Sequence, residues 1–238
     1  MPDEKKEKLV ELISRFEIPV IEDDIASDLC HGEKRPLPLK AFDRKDLILT
    51  CSSFSKTLAP GFRIGWVIPG KRFKDRILRL KAGITVSTSA LNQHVLWRFL
   101  SGGAYERHLR TLRGLIKKQV INTALAVRKH FPRDIRLAVS QGGPLLWIQL
   151  SPHVDGLKVY RKALEHRISI LPGSVCSVSG QFGNYIRVCC SSPFTPAIEK
   201  GIETLGELIR NLRIAFFPEK ACRKASNYDM RVFQSTVV

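Results

Sequence analysis

Thr50-Cys51-Ser52-Ser53-Phe54-Ser55-Lys56-Thr57-Leu58-Ala59-Pro60-Gly61-Phe62-Arg63-Ile64-Gly65-Trp66 is the stretch on which the reading turns. An apolar run, Leu47-Ile48-Leu49, delivers the chain to a cluster of small hydroxyl residues, and one lysine follows. Pro60-Gly61 suits a tight turn, with proline supplying a fixed φ and glycine accepting φ > 0. Such a turn sends Arg63 back toward the hydroxyls on an outgoing strand, Ile64 to Ile68. One amine is then surrounded by a guanidinium and several O–H and N–H donors. A phosphate-bearing aldehyde needs that set: Arg63, Ser53 and Ser55 for the phosphate, Lys56 to condense with the carbonyl. A Ser-rich turn with a solvated lysine is the bland alternative.

The fourteen residues Ser53 to Trp66 resemble the cofactor-lysine segment of fold-type-I pyridoxal-phosphate aminotransferases. They are most similar to the aminotransferase-like domain of the MocR regulators and to the aminoadipate and kynurenine transaminases. The resemblance implies an α/β fold, the C-terminal part of a fold-type-I transferase, with part of the large-domain sheet and an α/β small domain. It implies pyridoxal 5'-phosphate as cofactor and an amino acid or 2-oxo acid as substrate or effector. A homodimer is implied for the complete protein, and DNA contact only through a domain this sequence does not contain.

Upstream, Leu9, Leu12, Ile13 and Phe16 recur at helical spacing among charges, and Ile18-Pro19-Val20-Ile21 reads as a short strand. Glu22-Asp23-Asp24 follows it. Three acids at a strand end suit a metal, a solvated loop or a cationic partner. By the resemblance, Asp23 faces the ring nitrogen of the cofactor and keeps it protonated, with Asp24 the second choice. Asp23 precedes Lys56 by 33 residues, the spacing expected of these transaminases. Three residues after Asp23 the family carries a tyrosine that bonds the ring oxygen; here Ala26 stands there, which puts efficient transamination in question.

Downstream, helices are expected at 71–81, 89–100 and 105–129, the last resembling the element that links large and small domains. Residues 130–213 read as an α/β unit: strands at 135–139, 145–150, 168–170 and 184–188, and helices at 156–166 and 196–212. Gln141-Gly142-Gly143 marks a turn or a close backbone approach. Arg187, in an otherwise apolar strand, must find an anion. The resemblance assigns it the substrate α-carboxylate; a structural ion pair with a glutamate is the alternative. The division read from the sequence is 1–103, partial large domain; 104–213, linker helix and small domain; and 214–238, an unassigned tail.

Composition sets outer limits. The chain has 238 residues, a net charge of +17 and six cysteines without a Cys-x-x-Cys pair. Reduced cytosolic thiols and a cytoplasmic, non-membrane protein are expected, with neither a disulfide framework nor a zinc site. The charge can mean nucleic-acid binding, but it is spread along helices. The family's Gly-rich phosphate loop and ring-stacking aromatic are missing, so the chain is expected to be N-terminally truncated, with an open sheet edge. Three functional readings follow: an aminotransferase or a fragment of one, the effector-sensing domain of a MocR-type regulator, and an inactive remnant.

Overall fold

The computed structural model describes residues 1–32 and 34–214, and the chain divides into two compact units. The first comprises Met1–Lys118 with Ser140–Pro144; the second comprises Gln119–Val139 and the chain from Leu145. The tail read at 214–238 lies, beyond Ile214, outside the described residues.

The first unit begins with α1 (Asp3–Phe16), whose first-turn acids Asp3 and Glu4 suit the positive end of the helix dipole. Its Val10 and Ile13 pack with Leu47 and Ile48, and Leu9, Val20, Leu39 and Phe42 complete this core. Glu17 closes the helix in a left-handed conformation, and the Ile18 N–H bonds back to the Ile13 carbonyl. That bond displaces the expected strand. β1 runs Val20–Asp23 instead of 18–21, because Ile18 is committed to ending the helix.

β1 pairs in parallel with β2 (Ile48–Ser53), and β2 pairs antiparallel with β3 (Gly65–Ile68). The β1–β2 crossover carries two short 3-10 turns, Ser27–Leu29 and Leu39–Phe42. Asp43 organises its exit by accepting from the Leu47 and Ile48 N–H groups and from Lys40. After β3 come α2 (Gly70–Ile84), α3 (Ala90–Ser101) and the first part of α4 (Ala104–His130). The Gly pair of the sequence reading performs both expected jobs. Gly143 has φ +75°, and a Cβ on Gly142 would stand 3.0 Å from the Cys30 Cα. The 140–144 segment bonds the 29–31 loop through His31 N–H to Gln141 O (2.7 Å) and Gly143 N–H to Leu29 O (3.0 Å).

In the second unit a four-stranded antiparallel sheet has the order β4-β5-β7-β6: β4 (Arg136–Val139), β5 (Leu145–Gln149), β6 (Leu171–Pro172) and β7 (Tyr185–Cys189). Alternation puts Leu146, Ile148, Ile186 and Val188 on the buried face. α5 (Gly156–Glu165), capped by Asp155 on the Leu157 N–H, packs along α6 (Pro196–Ile214). The strand expected at 168–170 is not formed. The Ile168 N–H turns back to Ala163 O to close α5, so pairing starts at Leu171 and stops after Pro172, ahead of a short 3-10 turn at Gly173–Cys176.

Candidate functional site

The carboxyl ends of the two parallel strands carry the residues of interest: Asp23 closes β1, and Ser53 closes β2 three residues before Lys56. In open α/β sheets ligands bind outside these strand ends. Asp23 and Cys51 are register partners and share a face. Burial, aided by the Asp23 charge, raises the pKa of the Cys51 thiol.

The extension of β1 to Asp23 sorts the three acids. Successive strand residues point to opposite faces, so Glu22 and Asp23 cannot act together. Glu22 is half-buried and takes the Leu39 N–H (2.5 Å), the Lys40 N–H (3.2 Å) and the Thr50 hydroxyl (3.0 Å). Asp24 pairs with Arg35, which also binds Asp28 at 2.6 Å. Asp23 is exposed and accepts the Ile25 N–H at 3.1 Å. The three carboxylates do not converge, and among the described residues no group of His, Cys, Asp or Glu could hold a metal ion.

The lysine turn is compact. Leu58 and Ala59 N–H groups both bond the Phe54 carbonyl, at 2.9 and 3.1 Å, around Ser55, Lys56 and Thr57. Ser53 Oγ accepts the Ser55 N–H at 3.3 Å, leaving its own O–H to donate outward. Pro60-Gly61 is not the turn the sequence implied. Pro60–Phe62 is a 3-10 turn and Gly61 keeps φ negative; Arg63 is the left-handed residue, at φ 51° and ψ 37°. The Arg63 N–H to Pro60 O bond (3.3 Å) and the Phe54 N–H to Ile64 O bond (3.1 Å) hold it there. Left-handed backbone in a non-glycine residue costs of order 1 kcal/mol or more and persists where its surroundings demand it.

Lys56 and Arg63 are both exposed, and among the described residues neither makes an ion pair or a side-chain hydrogen bond. Ala26 is exposed at the start of the Ser27–Leu29 turn, so no phenol stands there. Arg187 belongs to the second unit. It is half-buried on β7 opposite Trp147 of β5, and Trp147 stacks on Tyr185 at 5.3 Å. Among the described residues no glutamate pairs with it. A cleft of about 790 Å³ opens between β3 and α2, lined by Trp66, Ile77, Leu78 and Lys81 among others; Asp23, Ser53, Ser55, Lys56 and Arg63 do not line it.

Two residues of α4, Tyr105 and His108, stand out from no sequence motif, and only the fold brings them to the lysine turn. Thr57, 2% exposed, is held by α4: Tyr105 donates its O–H to Thr57 Oγ1 (2.9 Å), and His108 Nε2 meets the Thr57 carbonyl (2.8 Å). A carbonyl only accepts, so that nitrogen carries the proton. Burial raises the Tyr105 pKa, against the opposing pull of the Thr57 bond.

Comparison with known proteins bears on the family and the fold. Residues 1–205 match the family described as Aminotransferase class I and II. The HTH-type transcriptional regulator YdcR of Escherichia coli, itself described as uncharacterized, is 37% identical over 207 residues, 87% of this chain and 44% of its own length. Aromatic-amino-acid aminotransferase 1 of Thermococcus litoralis is 25% identical over 210 residues, 88% of this chain and 50% of the relative. The solved kynurenine aminotransferase of Pyrococcus horikoshii superposes with a TM-score of 0.83 at 26% identity, covering 89% of this chain and 52% of that one. The chain therefore spans about half the length of the relatives it matches. By its match over residues 1–205, this chain belongs to the aminotransferase class I and II family.

Proposed function

We propose that this chain carries the lysine-bearing part of a pyridoxal-phosphate site whose chemistry is amino-group transfer between an amino acid and a 2-oxo acid. The single observation that supports it best is the donor set at the ends of β1 and β2. Lys56 is an exposed amine without a partner among the described residues, preceded by two serines and followed by an unpaired Arg63, and Asp23 is the exposed acid of its trio, bonded only to the nearby Ile25 N–H among the described residues. These groups fit the cofactor's chemistry. Arg63, Ser53 and Ser55 suit a phosphate, Asp23 suits a protonated ring nitrogen, and the Lys56 amine suits an aldehyde carbon. When bound, the group supplies an electron sink for charge developing at a substrate α-carbon. Lys56 Nζ then serves as the base that takes and returns the α-proton. Arg187, free of an ion pair among the described residues, is proposed to hold the substrate carboxylate through paired N–H bonds. A homodimer and a cytoplasmic location belong to the same proposal. Among the described residues no helix is long and apolar enough to cross a membrane.

The test adds pyridoxal phosphate to the purified chain and follows visible absorbance, then reduces with borohydride and maps the modified residue by mass spectrometry. A new band lost in Lys56→Ala, with the label on Lys56, is expected. No Lys56-dependent band sinks the proposal for this chain.

A second reading, an effector-sensing domain of a MocR-type regulator, is favoured by two observations: the 37% identity to YdcR and Ala26 in place of the usual tyrosine. Turnover separates the two. Release of a 2-oxo acid from an amino acid supports the enzyme; amino acid binding with cofactor retained and no release supports the sensor.

A further inference from the structure

The first turns of α4 touch both segments that flank the proposed cofactor position. Tyr105 and His108 reach the residue next to Lys56, as described. Two turns on, Arg113 Nε donates to the Asp28 carbonyl at 2.6 Å. Asp28 shares Arg35 with Asp24, whose N–H bonds Cys51 O at 2.8 Å, immediately after Asp23. Residues 105, 108, 109, 113 and 116 recur at helical spacing, and Tyr105, Leu109 and Ile116 are buried. One helix face therefore braces the Lys56 turn and the loop after Asp23.

The contacts are specific where the turn is otherwise local. Among the described residues, Ser55–Thr57 make one local hydrogen bond, Ser55 N–H to Ser53 Oγ two residues away, and the two that Tyr105 and His108 make across 48 and 51 positions. Both end on Thr57, one on its hydroxyl and one on its carbonyl. Together they fix its side chain and its peptide plane. Aromatic packing immobilises the donors: Tyr105 meets Phe54 edge-on at 5.7 Å, and Phe99 meets Tyr105 and His108, each at 6.3 Å. The residue so held follows Lys56 directly in the chain, its fixed carbonyl lying in the Thr57–Leu58 peptide, and the Lys56 side chain has four rotatable bonds and no partner of its own among the described residues. Its direction of departure is thus set by the backbone alone.

We propose that Tyr105 and His108 are positioning residues for Lys56, and that α4, through them and Arg113, sets the direction in which the Lys56 side chain leaves the turn, and the placement of that turn relative to the loop after Asp23. The proposal deepens the cofactor-lysine reading and rests on it for its functional meaning. Its geometry belongs to the chain alone.

The test uses the full chain and two readouts. In the first, pyridoxal phosphate is titrated and the Lys56-linked fraction is measured after reduction. In the second, a small amine-acylating reagent is applied without cofactor, and the Lys56 rate is divided by those of Lys71 and Lys162, which are exposed. Tyr105→Phe keeps the ring packing and removes one donor; His108→Ala removes the other, and His108→Gln restores an N–H near the same place. Loss of one net hydrogen bond predicts about fivefold weaker Lys56 attachment in Tyr105→Phe and His108→Ala. A changed Lys56 rate ratio and recovery in His108→Gln are expected with it. Thermal melts show whether each variant is folded. Folded Tyr105→Phe and His108→Gln that match the parent, with His108→Ala also matching it or unfolded, overturn the proposal. If no variant or parent binds the cofactor but the acylation ratio still responds to Tyr105→Phe, the positioning role stands and the cofactor reading falls.

Discussion

The two units solve the same problem, covering a small sheet, to very different extents. In the second, the sheet's inner residues Leu146, Ile148 and Ile186 are fully buried. Its edge strand β6 is two residues long and ends in Pro172, a form that offers little to a pairing strand. In the first, Leu47 and Ile48 are buried beneath α1, while both outer strands leave apolar side chains in the open. Ile21 on β1 is 74% exposed, and Trp66 and Ile68 on β3 are 41% and 50% exposed. α2 has no buried residue, and Ile84 at its end is 81% exposed. Large exposed apolar patches mark surfaces built to be covered. The candidate lysine therefore sits in the less enclosed unit, and what holds it is a few long-range hydrogen bonds in place of a deep core.

That contrast can be broken at several points. Gly156 lies where a Cβ would come within 2.3 Å of the Tyr185 carbonyl and 3.1 Å of the Gly183 carbonyl. Both are backbone atoms that cannot swing aside. Gly156→Ala should lower the second unit's stability by about 3 kcal/mol or more, measured by denaturant unfolding. Gly61→Ala in the first unit has nothing within 4 Å and should be close to neutral.

A smaller and more even comparison deletes the same methyl in both units. Ile148→Val should destabilise by about 1 kcal/mol, because Ile148 is fully buried. Ile84→Val should stay within about 0.5 kcal/mol, because its side chain is already in water. Equal effects would mean that the first unit's exposed face is covered in solution.

The pH responses should differ in direction. Burial pushes the Asp43 carboxyl up, but the Ile48 N–H, Lys40 and the Leu47 N–H outweigh it and hold its pKa below the ordinary value. A lowered folded-state pKa gives stability that is present above the unfolded value and is lost as pH falls through the folded one. The first unit should therefore weaken as pH drops below about 4, and Asp43→Asn should flatten that slope. In the second unit burial, with a small contribution from Cys189, raises the Cys190 thiol from 9.0 to about 11 against the opposing Thr123 bond. A raised folded-state pKa gives stability present below the unfolded value and lost as pH rises toward the folded one. Alkaline melts should show a decline from pH 9 to about 11 that Cys190→Ala removes.

The smallest effect is kinetic. Cys189 is exposed and Cys190 is buried beside it, so a thiol reagent should label Cys189 first. Cys190 should react only on unfolding. Simultaneous labelling would show that this end of β7 opens readily.

Much of this architecture was legible beforehand where the signal is local. Helical periodicity placed α1, α4, α5 and α6 within a few residues. The run from Ser53 to Trp66 made Lys56 the candidate lysine, because the groups that chemistry needs stand close together there in the chain. The misses share a different cause. β1 moved by two residues and the strand expected at 168–170 failed because Ile18 and Ile168 were diverted to close the helices before them. The positive φ expected of Gly61 falls on Arg63, since Pro60 opens a 3-10 turn that runs to Phe62 and is terminated at the next residue. None of these outcomes is visible in hydrophobic pattern alone.

By itself, the order of residues determined the α/β class and the family, and it nominated as candidates the lysine with the two serines before it, Arg63, the acid 33 positions upstream and the arginine at 187. These depend on residue type and short spacing, which a chain carries whether or not it is folded. Tertiary structure alone decided which acid stays exposed, because Glu22 and Asp23 are separated only by the phase of a strand whose start α1 dictates. It alone brought Tyr105 and His108 to Thr57 across 48 and 51 residues. Hydrogen bonds at that separation have no trace in sequence spacing; they exist because a helix face and a turn pack against each other, and the side chains that meet there are set by that packing.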